Sequence, residues 1–148
     1  MSMLPSERIS FDPVFGRPKL TLPNNARMVI WPLLAMEVWD INRPMPRVVL
    51  APPQGNLLTP DIPNWSWHEY GMRAGIWRLF RMFDELNISP CVTLNARTCT
   101  DYPQVAEAIL DRGWEFNAHS YDQIAMHKVE HQQEMIEKTI EIIKTFSG

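Results

Sequence analysis

Pro90-Cys-Val-Thr-Leu-Asn95 is the stretch on which the fold reading turns. A proline followed by four compact apolar or β-branched residues and then a polar one reads as a short buried strand. Just upstream, Ile76, Leu79, Phe80, Phe83 and Leu86 recur at helical spacing. They predict a helix over 73–86 that Asn87 can close. Downstream, Asp101 is a candidate N-cap, with Pro103 near the first helical position and Gly113 as the stop signal. Val105, Ile109 and Leu110 between them mark a second, short amphipathic helix. Residues 114–118 form the next strand candidate. A last helix is expected over 129–146, where Met135, Ile136, Thr139, Ile140, Ile142, Ile143 and Phe146 make a broad apolar face. On it Glu134 precedes Lys138 by four residues, in the favourable orientation.

Further upstream, residues 27–34 are the first strand candidate, rich in Val, Ile and Trp, although Pro32 removes a ladder donor. Residues 40–65 hold six prolines and read as a long loop, which in a folded domain is usually functional or disordered. The string strand, loop, helix, strand, helix, strand, helix calls for an α/β fold with a parallel sheet and right-handed crossovers. Three strands are fewer than a closed barrel or the usual open sheet requires. With only Ser147 and Gly148 following the wide apolar face of the last helix, part of the fold is expected to be missing.

Composition bounds the function. The chain has 148 residues, 45% hydrophobic and 21% charged, with 14 Lys+Arg against 17 Asp+Glu and a net charge of -3. One domain is expected at this length, and the charge gives no case for nucleic acid or an anionic membrane surface. The longest apolar run, residues 28–36, contains Pro32 and falls far short of the roughly 20 residues of a membrane span. The N-terminus lacks the basic start and apolar run of a secretory signal. Cys91 and Cys99 make neither a disulfide framework nor a structural zinc site, so a soluble, reducing, cytoplasmic location is expected. Eleven of the 13 prolines lie in the first 63 residues. An N-terminal arm over 1–25 that packs on something, then a domain over 26–148, is the expected organisation.

In parallel α/β folds, functional groups collect where strands end. The first strand leads to Glu37, Trp39 and Asp40, the second to Asn95 and Arg97, and the third to His119, Ser120, Tyr121, Asp122 and Gln123. A carboxylate, an amide, a guanidinium and an imidazole thus converge on one rim. Each also has a structural reading: Glu37 as a solvated strand end, His119 as a hydrogen-bonding residue. His127 and His131 lack the glutamate of a zinc-protease pattern and read as a solvated helix start. Cys91 reads as a small buried hydrophobe, Cys99 as a loop residue without an identifiable base, and Trp65, Trp67 and Tyr70 as core or subunit-contact aromatics. A Gly-rich phosphate loop and Gly-x-Ser-x-Gly are both absent.

Two segments carry a resemblance. Asn64-Trp-Ser-Trp-His-Glu-Tyr-Gly-Met-Arg-Ala-Gly-Ile-Trp-Arg-Leu-Phe80 and Trp114-Glu-Phe-Asn-Ala-His-Ser-Tyr121 resemble the polysaccharide-deacetylase superfamily (carbohydrate esterase family 4-like), in its allantoinase-like and cyclic-imide-hydrolase branch. The likeness runs from about Arg27 to the C-terminus. It implies a distorted (β/α) barrel and hydrolysis of a carbon–nitrogen bond in a small linear or cyclic amide or imide. Deacetylating members use an acidic first motif, with one Asp as base and another as metal ligand, and a His-[Ser/Thr]-x-x-His motif supplying two further ligands. Here Glu37 falls near the first, and His119-Ser120 matches the start of the second. Gln123 stands where the second histidine belongs, and an amide is a poor zinc ligand beside imidazole.

No cofactor is therefore expected; were a divalent metal such as zinc to bind, Glu37 and His119 would be its weak candidate ligands. The resemblance further implies Glu37 as general base and His119 as proton donor or hydrogen-bond donor to the carbonyl oxygen. Asn95, Arg97, Tyr121 and Gln123 would hold the substrate's amide edge, and Trp39 would wall the pocket. By the same resemblance this chain looks like the N-terminal half of the family domain. A homo-oligomer or a complementary C-terminal half chain is expected beside the small-molecule substrate. The competing expectation is a non-catalytic or incomplete half-barrel subunit that needs a partner chain. A sugar deacetylase is disfavoured by the lost histidine and the missing signal. All of it supposes that the Glu37 carboxylate and the His119 imidazole share one cavity mouth.

Overall fold

Backbone pairing in the sheet begins as Pro32 ends: the Pro32 carbonyl accepts from the Cys91 N–H at 3.0 Å. In the computed structural model, which describes residues 5–148, strand β1 is Leu33–Met36 and runs parallel to β2, Cys91–Leu94, which runs parallel to β3, Phe116–Ala118. The spatial order is β1-β2-β3, with Leu33 opposite Cys91 and Val92 opposite Phe116. The expectation of a strand over 27–34 is corrected. Proline has no N–H to donate, so the ladder is taken up after position 32. Leu34 and Met36 are buried while Leu33 and Ala35 are exposed, the period of two expected of a strand with one covered face.

The described chain divides into residues 5–30 and Trp31–Gly148. The first unit holds a helical turn, α1 (Pro5–Arg8), and two 3-10 turns at Val14–Gly16 and Pro23–Asn25. Residues 1–4 of the expected arm lie outside the described residues.

In the second unit the loop expected over 40–65 stops early, and the helix expected from 73 starts early. Helix α2 spans Ile62–Tyr70. The Asp61 carboxylate caps it by accepting from the Asn64 N–H at 3.1 Å, and Pro63 sits in the first turn, where no donor is needed. The loop itself is tied to this start, since the Asn64 side-chain oxygen accepts from the N–H groups of Val49 and Leu50, both at 2.8 Å. A π-helical turn, Gly71–Gly75, carries α2 into α3, Ile76–Leu86. Asn87 closes α3 at φ 52°, a left-handed conformation that asparagine tolerates.

Asp101 does not cap the next helix; it ends α4, Arg97–Asp101, and the break at Tyr102 separates that from α5, Pro103–Leu110. Its carboxylate is held instead by Arg97 on the preceding turn at 2.6 Å. Cys99, expected in a loop, is buried within α4. Gly113, at φ 65°, turns the chain toward β3, which is two residues shorter than expected: Trp114 turns into the core, and the Glu115 carbonyl accepts from the Val92 N–H at 2.8 Å just before the strand begins. Helix α6 is Gln132–Ser147, three residues later than expected, because Met126–Lys128 forms a separate 3-10 turn.

The core joins Leu34, Met36, Val92 and Leu94 of the sheet to Met72, Ile76 and Phe80 of the long helix and to Val105, Ala106 and Ile109 of α5. Phe80 is its keystone. Its ring meets Trp114 edge-on at 5.4 Å and Trp77 at 5.5 Å, while the Arg112 guanidinium lies 4.8 Å over it and is anchored on Asp84. Phe80→Ala is expected to destabilise the fold by about 3–5 kcal/mol. Ile140→Ala, on the exposed side of α6, should stay within about 0.5 kcal/mol. Urea unfolding of the two variants checks both.

Candidate functional site

Because all three strands run parallel, Glu37, Asn95 and His119 leave the sheet at the same edge. Asn95 is fully buried there and laces the strand ends together. Its side-chain oxygen accepts from the Val38 N–H at 2.8 Å; its amide group donates to the His119 carbonyl and, at 3.5 Å, to the Gln123 side-chain oxygen. Backbone bonds complete the lacing: Ala96 to Ser120, Arg97 to Tyr121, and Gln123 back to Val38 at 3.2 Å. Ser120 adopts φ 68° between these contacts, a strained value for a serine, and its hydroxyl meets the Met135 sulfur at 3.1 Å.

Beside β1 lies a cavity of about 760 Å³, whose walls include Glu37, Trp39, Arg47, His68, Arg78 and Gln123. The Trp39 indole N–H donates to the Glu37 carboxylate at 2.9 Å. Against the Trp39 ring the His68 imidazole stacks at 4.7 Å and 19°. His68 Nε2–H donates to the Glu37 carbonyl at 2.6 Å, so in the neutral ring Nδ1 carries the lone pair; that atom is buried with no partner. Burial pushes the His68 pKa down, against the smaller upward pull of the Glu37 carbonyl and of Glu69 and Glu37. The imidazole is therefore neutral at pH 7.

Of the residues expected at the site, the cavity brings together Glu37, Trp39 and Gln123, and Asn95 touches Gln123 from the buried side. His119, Arg97 and Tyr121 stand on the same rim but do not line this cavity, which corrects the expectation that Glu37 and His119 share one cavity mouth: the exposed His119 leaves β3, two strands away from β1, beside which the cavity lies. Arg97 is held among Asp101, Asp122 and Asp40, with Arg43 bridging the last two from the loop at 3.1 and 3.6 Å. The Asp40 carboxyl sits below the usual carboxylate range, chiefly through the Asn42 backbone N–H and then through Arg43 and Arg97. Tyr121 lies under the Lys138 ammonium at 3.7 Å. His68 escaped the sequence reading because it lies in α2, before the expected helix start. The signal that could have found it is Asp61 followed by Pro63, a capped helix start seven residues upstream.

Other chemistries find little support. The Cys99 thiol is pushed up to about 11 by burial, which keeps it protonated at neutral pH. Among the described residues, no three His, Cys, Asp or Glu side chains group closely enough to hold a metal ion, and Gln123 occupies the ligand position expected of a histidine. The donor set does not fit a three-ligand zinc site. Among the same residues, no helix is long and apolar enough to cross a membrane.

His68 makes a checkable contribution to stability. Its folded pKa lies below its unfolded one, so the unfolded chain takes up the proton first as pH falls. Stability from this group is full above the unfolded value of about 6.5 and is lost below it. Thermal melts from pH 7.5 to 5 should show a steeper acid decline in the wild type than in His68→Gln.

No protein-family model matches the chain, and no curated protein does. Solved structures do. A structure described as Puue allantoinase matches with a TM-score of 0.72 and 25% identity, over 90% of this chain and 48% of its own. A probable polysaccharide deacetylase from Pseudomonas aeruginosa PAO1 matches with a TM-score of 0.62 and 26% identity, over 80% of this chain and 43% of its own. The chain thus spans about half the length of either. On these matches, and on the two segments that carry the family resemblance, it is similar to the N-terminal half of a polysaccharide-deacetylase-type protein.

Proposed function

We propose that this chain carries part of a hydrolase site that cleaves a carbon–nitrogen bond in a small linear or cyclic amide or imide, in a cytoplasmic setting. The observation that carries the reading is the Glu37 carboxylate, oriented by the Trp39 indole N–H on the wall of a cavity that Gln123 also lines. The likeness to an allantoinase and to a probable polysaccharide deacetylase supports the same class of bond. Glu37 takes a proton from water as the oxygen attacks the amide carbon. Charge then develops on the carbonyl oxygen, where the Gln123 amide N–H donates. The C–N bond breaks as the nitrogen receives the proton that Glu37 took from water; His119, on the same rim outside this cavity, is assigned with Arg97 and Tyr121 to the substrate's outer edge.

Asn95 holds Gln123 from behind, and Trp39 walls the pocket. The proposal includes completion of a (β/α) barrel by polypeptide of comparable length, as a homo-oligomer or a complementary C-terminal half. Both neighbours are about twice as long, and β1 and β3 pair on one side each within the described residues.

Turnover of hydantoin, allantoin and succinimide is the test. Glu37→Gln is expected to lower kcat by about 100-fold or more, and His119→Ala, outside the cavity, by about tenfold or less. Unchanged rates in both variants would remove these residues from the mechanism.

A further inference from the structure

His68 contacts both the cavity and the backbone of Glu37, and nothing above gives it a part in the chemistry. Three consecutive residues, 37–39, lie between β1 and the loop, and each is gripped differently. Val38 is held through its main chain, donating to Asn95 and accepting from the Gln123 N–H. Trp39 is held by its ring against His68. Glu37 is held at both ends: its carbonyl by His68 Nε2–H at 2.6 Å and its carboxylate by Trp39 Nε1–H at 2.9 Å. His68, Trp39 and Glu37 therefore form a closed circuit, in which one imidazole fixes the peptide of the carboxylate and the indole that aims it.

The bare Nδ1 sharpens the point. Here the single N–H of the neutral ring is directed at Glu37, and the other nitrogen is left buried without a partner.

We propose that His68 is the positioning residue of this cavity: the N–H it donates to the Glu37 carbonyl fixes that peptide and so aims the Glu37 carboxylate at the carbon of a bound amide. The inference rests on the hydrolase reading, and its test separates the two. His68→Phe keeps a ring for Trp39 and loses the N–H. His68→Gln restores an N–H at the reach of Nε2. His68→Asn offers one too short to reach.

With hydantoin or succinimide as the probe, His68→Phe and His68→Asn should lose roughly 10- to 100-fold in kcat. Their KM should stay within about two-fold, and His68→Gln should recover most of the loss. Exchange of the Trp39 indole N–H with solvent, assigned by its disappearance in Trp39→Phe, is read in parallel. It should quicken about tenfold in His68→Phe and His68→Asn but not in His68→Gln. Should the wild type turn over none of these compounds, the hydrolase reading fails while the indole exchange still decides the positioning role. Equal exchange in all four proteins overturns the role, as does equal kcat or failure of His68→Gln to recover. Where His68→Phe does not fold, the contrast between His68→Asn and His68→Gln decides alone.

Discussion

The side chain of Asn95 is the constraint on which the rest of this structure depends. Three parallel strands end at one edge, and nothing in the ladder itself says how the chain should leave each of them. A fully buried amide at the end of the middle strand answers this by bonding to the first exit at Val38 and to the third at His119 and Gln123. A buried amide left unpaired would cost on the order of 1–3 kcal/mol per lost partner, so the three exits are set together or not at all. An aliphatic residue of the same size could fill the space but could not align them.

Around that clasp, two kinds of anchoring hold the irregular segments. The proline-rich loop before α2 is fastened by polar bonds, with the buried Asn64 accepting from Val49 and Leu50 and Arg43 reaching Asp122 beyond β3. Such a loop has few backbone donors to give a ladder, because each proline lacks one, and side-chain amides and guanidinium groups take over. The opposite arrangement holds α3, where Phe80, Trp77, Phe83 and Trp114 pack edge to face. The cavity beside β1 lies where these regimes meet. It combines apolar walls from the long helix with a carboxylate and an imidazole from the polar side, the mixture that small polar ligands require.

Legibility in the sequence follows the same division. The helix around Phe80 and the strand at Cys91–Leu94 could be read because burial imposes a period, and the period survives in the residue order. The start of α2 was also written there, in Asp61 and Pro63, but was masked by the prolines around it. The boundaries of β1 and α5 could not be read correctly. Whether Pro32 lies inside or before the ladder depends on which strand pairs with it, and whether Asp101 caps or closes a helix depends on Arg97, four residues away on a helix that periodicity does not mark.

Residue order by itself determined the parallel α/β class, the rim from which functional side chains emerge, and the presence there of Glu37, Trp39 and Gln123. These follow from local periodicity and from the handedness of β-α-β connections, which act over short stretches of chain. Only the tertiary structure decided that Glu37, Trp39 and Gln123 line one cavity, that His119, Arg97 and Tyr121 stand outside it, and that His68 closes on Glu37. Those outcomes depend on groups distant in sequence meeting within about 3 Å, as in the bonds from the His68 side chain to the Glu37 carbonyl and from the Val38 N–H to the Asn95 side chain, 31 and 57 positions apart. No local pattern encodes a distance of that kind.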